Sequence, residues 1–293
     1  MRLAVGYLAT PGGADAVALG VRLARSLGAE LDVCMVLPPD RGVPAMVPTG
    51  GYDELLAEQA GEWLNQALAG VPDDVVAHSH VSVSDSTADG LINEVKRLGA
   101  QAVVVGGSGG GLAGSYSLGS VVNELLHSAH VPVAVAPKGT RLSAVERVRE
   151  VTCAIGERAG AGTLLNVAVR ACKAADVPLR LVSLVALDPM FGSLRGDADA
   201  LRERAMDHAR RALEEAKESL PEGFSVTATV AEGSSVEDAV SRLPWHDGDV
   251  IMVGSSRLAA PRRLFLGSTA AKMLRVLDVP MIVVPRTADE ETA

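Results

Sequence analysis

Four landmarks in the chain recur at one fixed interval. Gly106 and Gly254, Gly119 and Gly267, Pro132 and Pro280, and Pro137 and Pro285 each stand 148 residues apart. A constant offset at four positions implies duplication of a whole domain, because solenoid units repeat every roughly 20 to 50 residues. The 293 residues then make about two domains of ordinary size, each able to bury its own core. The units are expected at residues 1–140 and 149–287, with the boundary in the polar segment from Lys138 to Val148.

Each unit reads as alternating strand and helix. In the first, apolar strands are expected at 2–8, 30–37, 75–83, 102–106 and 132–136, and helices at 12–28, 53–69, 87–98 and 118–129. The second gives strands near 150–156, 178–186, 224–231, 249–254 and 280–285, with its clearest helix from Asp197 to Ser219. Within that helix Leu201, Ala205, Ala209, Ala212, Leu213 and Ala216 fall at helical spacing with charges between them. This alternation predicts an α/β fold, doubly wound, with parallel strands and helices on both faces of each sheet.

The stretch Val103 to Ser120 joins an apolar strand to a glycine-rich loop and then to a helix-forming run, and seven of the fifteen residues from Gly106 to Ser120 are glycine. Such a loop can take positive φ, approach a ligand without a Cβ in the way and turn several N–H groups toward an anion. The helix beginning near Gly119 and Ser120 adds unpaired N–H donors, the positive end of its dipole and a hydroxyl, all suited to phosphate. A nucleotide is therefore the expected ligand class. Gly106, Gly109, Gly119 and Ser120 are expected to donate to phosphates, and Gly107, Ser108 and Gly110 to line the loop. Asn123 is a further donor one turn into the helix, and Thr10 and Gly12 border the pocket from the first strand's loop. In open α/β sheets such sites lie beyond the carboxyl ends of the strands, where strand order reverses.

The spacing Gly106-x2-Gly109-x9-Gly119-Ser120, followed by Val131-Pro132-Val133-Ala134-Val135-Ala136-Pro137, resembles the nucleotide-binding signature of the universal stress protein family. The repeat makes the whole chain look like two such domains in tandem. The resemblance implies five-stranded parallel sheets in the order 3-2-1-4-5 and a regulatory protein that binds ATP, with Mg, or a related adenine nucleotide. It also implies pairing through the last strands. A tandem chain can make that contact internally, between Val131 to Ala136 and Met281 to Val284, as a pseudo-dimer of its two domains, with a homodimer of whole chains as a further assembly.

The chain departs from the family pattern in both halves. Leu8 stands where ATP-binding members carry an aspartate, and Ala9-Thr10 replace Gly-Ser. In the second half Glu157 lies within one position of that slot, Arg257 occupies the second glycine position, and only Gly254 and Gly267 of the loop glycines are kept. Arg257, Arg262 and Arg263 could pair with phosphates, but a degenerate copy retained for packing is the simpler reading. Nucleotide is accordingly expected mainly in the first domain. The alternative is a non-nucleotide-binding stress-response scaffold or protein-interaction module, which the Leu8 and Arg257 substitutions favour.

Other chemistry finds little footing. With 27 basic and 36 acidic residues, net charge −9 and no clustered Lys/Arg face, neither nucleic acid nor an anionic membrane is an expected partner. No apolar run approaches about 18 residues and the first strand starts at once, so a cytoplasmic protein is expected. Cys34, Cys153 and Cys172 read as buried small hydrophobes. His78 and His80 share one strand face and read as solvated, His127 and His130 fall in the last turn of the helix after the loop, and His246 in a turn. There is no GxSxG elbow, HExxH or Walker A lysine. An enzyme would rest on the glycine loop alone, since Glu124 on the next helix reads as a surface residue.

Overall fold

The computed structural model describes residues 1–39, 52–107, 119–156, 161–187, 198–256 and 264–286. The first half contains β1 (Arg2–Gly6), α1 (Pro11–Leu27), β2 (Glu30–Leu37), α2 (Tyr52–Ala69), β3 (Ala77–Val83), α3 (Thr87–Leu98), β4 (Ala102–Gly106), α4 (Ser120–Ser128) and β5 (Val133–Ala136). The second contains β6 (Glu150–Ala154), α5 (Ala161–Ala175), β7 (Leu179–Ala186), α6 (Ala198–Glu218), β8 (Val226–Gly233), α7 (Val236–Ser241), β9 (Asp249–Gly254), α8 (Ser268–Leu274) and β10 (Met281–Val284). Local chemistry sets several of these bounds. Thr10 caps α1 by accepting from the Gly13 N–H at 3.2 Å, Pro11 follows as its first residue, and Gly28 at φ 62° ends it. Ser86 and Gly99 do the same for α3.

All ten strands form one sheet in the order β3-β2-β1-β4-β5-β10-β9-β6-β7-β8. Each half has the order 3-2-1-4-5 and is parallel throughout, and the antiparallel step is the one where β5 meets β10. There Ala134 lies opposite Ile282, with Val135 opposite Met281 and Val133 opposite Val283. Positions 134 and 282 are themselves 148 apart, so the register is centred on a residue and its own repeat. This pairing obeys the twofold relation that exchanges the halves. Both strands are thereby hydrogen-bonded on both sides, β5 to β4 and β10, β10 to β9 and β5.

Strand alternation divides the interior into two cores that run through both halves. On one face Leu3, Val5, Leu31, Val104, Ala134, Cys153, Leu179 and Met252 pack under α1, α2, α5 and α6. On the other Ala4, Val36, Val103, Val135, Val182, Ile251, Met281 and Val283 pack under α3, α4, α7 and α8. Cys34, Cys153 and Cys172 are all buried in these layers, and burial pushes the thiols of Cys34 and Cys172 up to about 12, which leaves them unreactive.

The segment between the halves is held by polar groups on α1. Asp15, Arg22 and Ser26 are 1%, 4% and 4% exposed and share one helix face. The Asp15 carboxylate accepts from the backbone N–H groups of Gly139 (3.0 Å) and Arg141 (2.9 Å) and from the Arg141 guanidinium. Arg22 donates to the Val145 carbonyl at 3.0 Å, and the Ser26 hydroxyl accepts from the Val148 N–H at 2.8 Å. The linker is thus part of the folded body.

A buried ion pair recurs in both halves with its polarity reversed. In the first, Arg2 on β1 pairs with Asp32 on β2, which is fully buried. In the second, the positions 148 residues on hold Glu150 on β6 and Arg180 on β7, paired at 3.1 Å. His80 joins the first network instead of standing solvated. Its Nε2 lies 2.8 Å from Asp32 and its Nδ1 3.1 Å from Arg97. Arginine only donates, so Nδ1 accepts and Nε2–H donates to the carboxylate. Arg180 donates to the Thr152 hydroxyl and the Pro244 carbonyl, both at 3.0 Å, and stacks 4.8 Å over the Trp245 ring.

Two outcomes follow for stability. Ala134→Lys would bury an unpaired charge at the join and is expected to destabilise by about 3 to 5 kcal/mol in denaturant unfolding; a change below about 1 kcal/mol would show that the join is not a core position. Burial raises the Asp32 pKa, but the hydrogen bonds from Arg2 and His80 outweigh it and hold the carboxyl below its ordinary 3.8. Its contribution is therefore full above that value and is lost as pH falls through the lower folded value. The stability difference between wild type and Asp32→Asn should shrink as pH drops from about 5 to below 3, and a difference constant with pH would refute this.

Candidate functional site

The strand order reverses between β6 and β9, and the carboxyl ends of β6, β7 and β9 open there into a cleft of about 490 Å³. That volume lies within the range of small-molecule sites. Ala154, Ile155 and Gly156 supply one wall, Ser183 to Leu187 another, and Gly254, Ser255 and Ser256 a third. The alanine face of α6 explains the space: Ala205, Ala209 and Ala212 recur at helical spacing and line the cleft with methyl groups. Met273 and Leu164 contribute bulk from α8 and α5.

The polar groups in this cleft are few. Ser183 is 7% exposed and lines the cleft. A hydroxyl at this wall can donate to or accept from whatever fills the cleft. Gly267 caps α8 with no side-chain hydrogen bond, and Thr269 follows in its first turn. His208 on α6 is the one titratable residue in the described lining.

The loop beside the cleft is anchored across the molecule. The Ser255 hydroxyl accepts from the Phe265 N–H at 2.8 Å and donates to its carbonyl at 3.3 Å, while the Ser256 N–H donates to the same carbonyl at 2.8 Å. The next two amides reach the first half: Leu264 N–H donates to Ala129 O at 2.9 Å, and Leu266 N–H to Leu126 O at 3.0 Å. These acceptors belong to the carboxyl end of α4, whose last carbonyls have no partner within the helix. His127 on α4 meets the Phe265 ring edge-on at 4.9 Å.

In the first half the expected site residues divide into groups. Thr10 caps α1, and Gly12 lies against the end of β4. A Cβ on Gly106 would fall 1.9 Å from the Gly12 carbonyl oxygen, so glycine at 106 serves this close backbone approach. The Gly107 N–H donates to Ala136 O at 2.9 Å and continues the sheet ladder. Gly119 caps α4 without a side-chain hydrogen bond, Ser120 is the exposed first residue of α4, and the Asn123 side chain is exposed one turn on. Glu124 accepts from the Ser86 hydroxyl at 3.1 Å, a surface contact. Leu8 is half exposed and not in the core. Ser108, Gly109 and Gly110 lie outside the described residues, as do Glu157, Arg257, Arg262 and Arg263.

Sequence reading passed over Ser183, the alanine face of α6 and His208 as site residues. The repeat offset does locate the second cleft, because Gly254 and Gly267 mark its edges. That Ser183 lines a cleft could not be read, since it depends on what α6 places opposite β7.

Comparison with known proteins bears on this geometry. The model of the universal stress protein family matches residues 1–137 and again 148–285. The chain belongs to the universal stress protein family. Universal stress proteins of Mycobacterium bovis and Mycobacterium tuberculosis are each 27% identical to it over 293 residues, covering 97% of this chain and 100% of theirs. The solved universal stress protein of Archaeoglobus fulgidus superposes with a TM-score of 0.67 at 17% identity, covering 97% of this chain and 98% of that one. A protein of unknown function from Pseudomonas aeruginosa gives a TM-score of 0.59 at 16% identity, covering 97% and 92%. At these identities the two structures speak for the fold of this universal stress protein.

Equivalent glycines here have unequal surroundings, which a substitution can read. At Gly254 a Cβ would meet only a Leu164 methyl at 3.8 Å, ordinary contact. Gly106→Ala should therefore destabilise by about 1 to 3 kcal/mol, and Gly254→Ala by less than about 0.5 kcal/mol, both by denaturant unfolding. Equal effects would contradict the close approach of α1 to β4.

Proposed function

We propose that this universal stress protein is a cytoplasmic regulatory protein that binds an adenine nucleotide, ATP or a relative, at the carboxyl ends of its strands. The observation that carries the reading is the cleft at the β6–β9 reversal with the Ser183 hydroxyl in its wall. It has room for a nucleoside, an apolar wall for a base, and a hydroxyl able to hydrogen-bond to it. In the first half the support is the sequence of the glycine loop together with the uncapped start of α4 at Gly119 and Ser120. The described lining of the cleft holds no carboxylate, so a magnesium ion would be held by the phosphates.

The first domain remains the expected phosphate holder, and the second cleft supports a second, more apolar compartment. With one titratable group in its described lining, that cleft suits binding better than bond cleavage. A scaffold that binds no nucleotide is the competing reading, favoured by the contact of Gly12 with Gly106 and by the engaged Gly107 N–H. Mass spectrometry of small molecules released on denaturing the purified protein, with calorimetric titration of ATP and GTP, separates the two. Adenine nucleotide released, or ATP bound in titration, supports the first. Absence of both release and binding favours the scaffold. Loss of a binding event in Gly109→Arg assigns it to the first half, and loss in Ser183→Leu to the second.

Leu8→Asp refines the test. Leu8 is half exposed beside the end of β1, so the carboxylate stays hydrated and stability should change by less than about 0.5 kcal/mol. Placed where the family carries aspartate, it should tighten ATP about three- to tenfold through one recovered hydrogen bond. Unchanged affinity for both ATP and GTP would remove this position from the site.

A further inference from the structure

A separate cavity of about 570 Å³ lies in the first half, between α1, the end of α2 and the segment after β5, within the size range of small-molecule sites. Ala14, Val17, Ala18 and Val21 recur at helical spacing and form one apolar wall, with Ala67 and Gly70 at the end of α2 as another. Arg22 and Arg25 continue the α1 stripe, so the lining follows that helix for roughly 16 Å from Ala14. A cavity of about 320 Å³ stands at the equivalent place in the second half, where Ile155, Gly162 and Leu165 are the counterparts, 148 residues on, of Tyr7, Ala14 and Val17. The duplicated fold thus leaves apolar space between these helices twice. The described lining of the second space carries Glu215 as its one charged residue. The first adds the segment from Thr140 to Glu146 and three arginines, Arg22, Arg25 and Arg141.

The three arginines are unequally neutralised. Arg141 is held by the Asp15 carboxylate at 2.9 Å, and Arg25 by both oxygens of Asp74 at 2.7 and 2.8 Å. The Arg22 side chain is 5% exposed, yet its carboxylate partner Asp247 stands 3.6 Å away and is half exposed. The Val145 carbonyl and the Ser143 hydroxyl accept from Arg22, and neither carries a charge. Burial holds this guanidinium below its ordinary pKa, with Asp247 offsetting that in part and Arg149 adding to it. A buried cation so placed favours an anion beside it.

We propose that this cavity is a second binding site, for a chain-like organic carboxylate such as a medium-chain fatty acid, with its carboxylate on Arg22 and its hydrocarbon along Val21, Ala18, Val17 and Ala14. A guanidinium presents five N–H donors in a planar fork, so those not given to Val145 and Ser143 serve a carboxylate. The hydrocarbon leaves water along the apolar face of α1. This site is separate from the β6–β9 cleft and stands whether or not nucleotide binds there.

Calorimetric titration of the full chain with decanoate, octanoate and hexanoate tests this, beside decanol as the uncharged control. One decanoate should bind per chain, with affinity falling about two- to fourfold for each methylene removed. Decanol should bind about tenfold more weakly than decanoate. Ala18→Phe fills the space beside Arg22 and should weaken decanoate about tenfold or more; Ala67→Leu fills it from α2 should that variant not fold. Ser183→Leu, in the other cleft, should leave decanoate binding unchanged. No decanoate binding at millimolar concentration, decanol binding as tightly as decanoate, or full affinity in the filled variant would overturn the site. Loss of decanoate binding in Ser183→Leu would overturn it as well, by placing the acid in the β6–β9 cleft.

Discussion

The antiparallel pairing of β5 with β10 is the contact on which the rest of the molecule depends. Without it each half would end in a short, apolar strand with an unpaired edge, a template for association with other chains. With it, two five-stranded sheets become one, and both cores continue from end to end. The centring of the register on Ala134 and Ile282 also fixes what meets across the join. It sets α1 beside α5 on one face and brings residues 264–266 onto α4 on the other. A one-residue slip would turn Val133, Val135, Met281 and Val283 to the wrong core, so the join is specified by the same alternation that builds the layers.

A tandem chain of similar halves faces a particular hazard, the pairing of a strand with the wrong copy. The reversed ion pairs bear on it. Exchange of β1 with β6 would place Arg2 beside Arg180 and Glu150 beside the fully buried Asp32. Each arrangement leaves a like-charge pair where water is excluded, which is far less favourable than either native pair. The surroundings have diverged to match. Asp32 is held by His80 and Arg97 at one remove, whereas Arg180 has Thr152, the Pro244 carbonyl and the Trp245 face.

Most of the fold was legible because it rests on period and offset. The strands from Glu30 to Leu37 and from Ala102 to Gly106, and the helix from Thr87 to Leu98, lie where apolar runs, caps and glycines place them. β1 stops at Gly6 instead of reaching Leu8, since the chain must leave the sheet to meet the Thr10 cap. The polar segment after Lys138 was legible as the boundary between the units, but its anchoring to Asp15, Arg22 and Ser26 on α1 was not. Their partners lie more than a hundred residues away in sequence. His80 failed for the same reason: strand alternation gives its face, and Asp32 and Arg97 come from other elements.

The candidate site shows how a duplicated position can keep its residue and change its reason. Gly106 and Gly254 mark the same point at the end of equivalent strands, yet the first is pressed against the backbone of Gly12 and the second borders an open cleft. Glycine at 106 is demanded by packing, because any Cβ would overlap a carbonyl. At 254 the backbone is free of that demand, and the space it borders is lined by the alanines of α6. The glycine count that makes the first loop the obvious phosphate holder says nothing about the room beside it. Room is set instead by how closely the helix after the first strand of each half approaches that strand end, a tertiary quantity. In this chain the half with fewer loop glycines has a described cleft and, in Ser183, a hydroxyl in its wall.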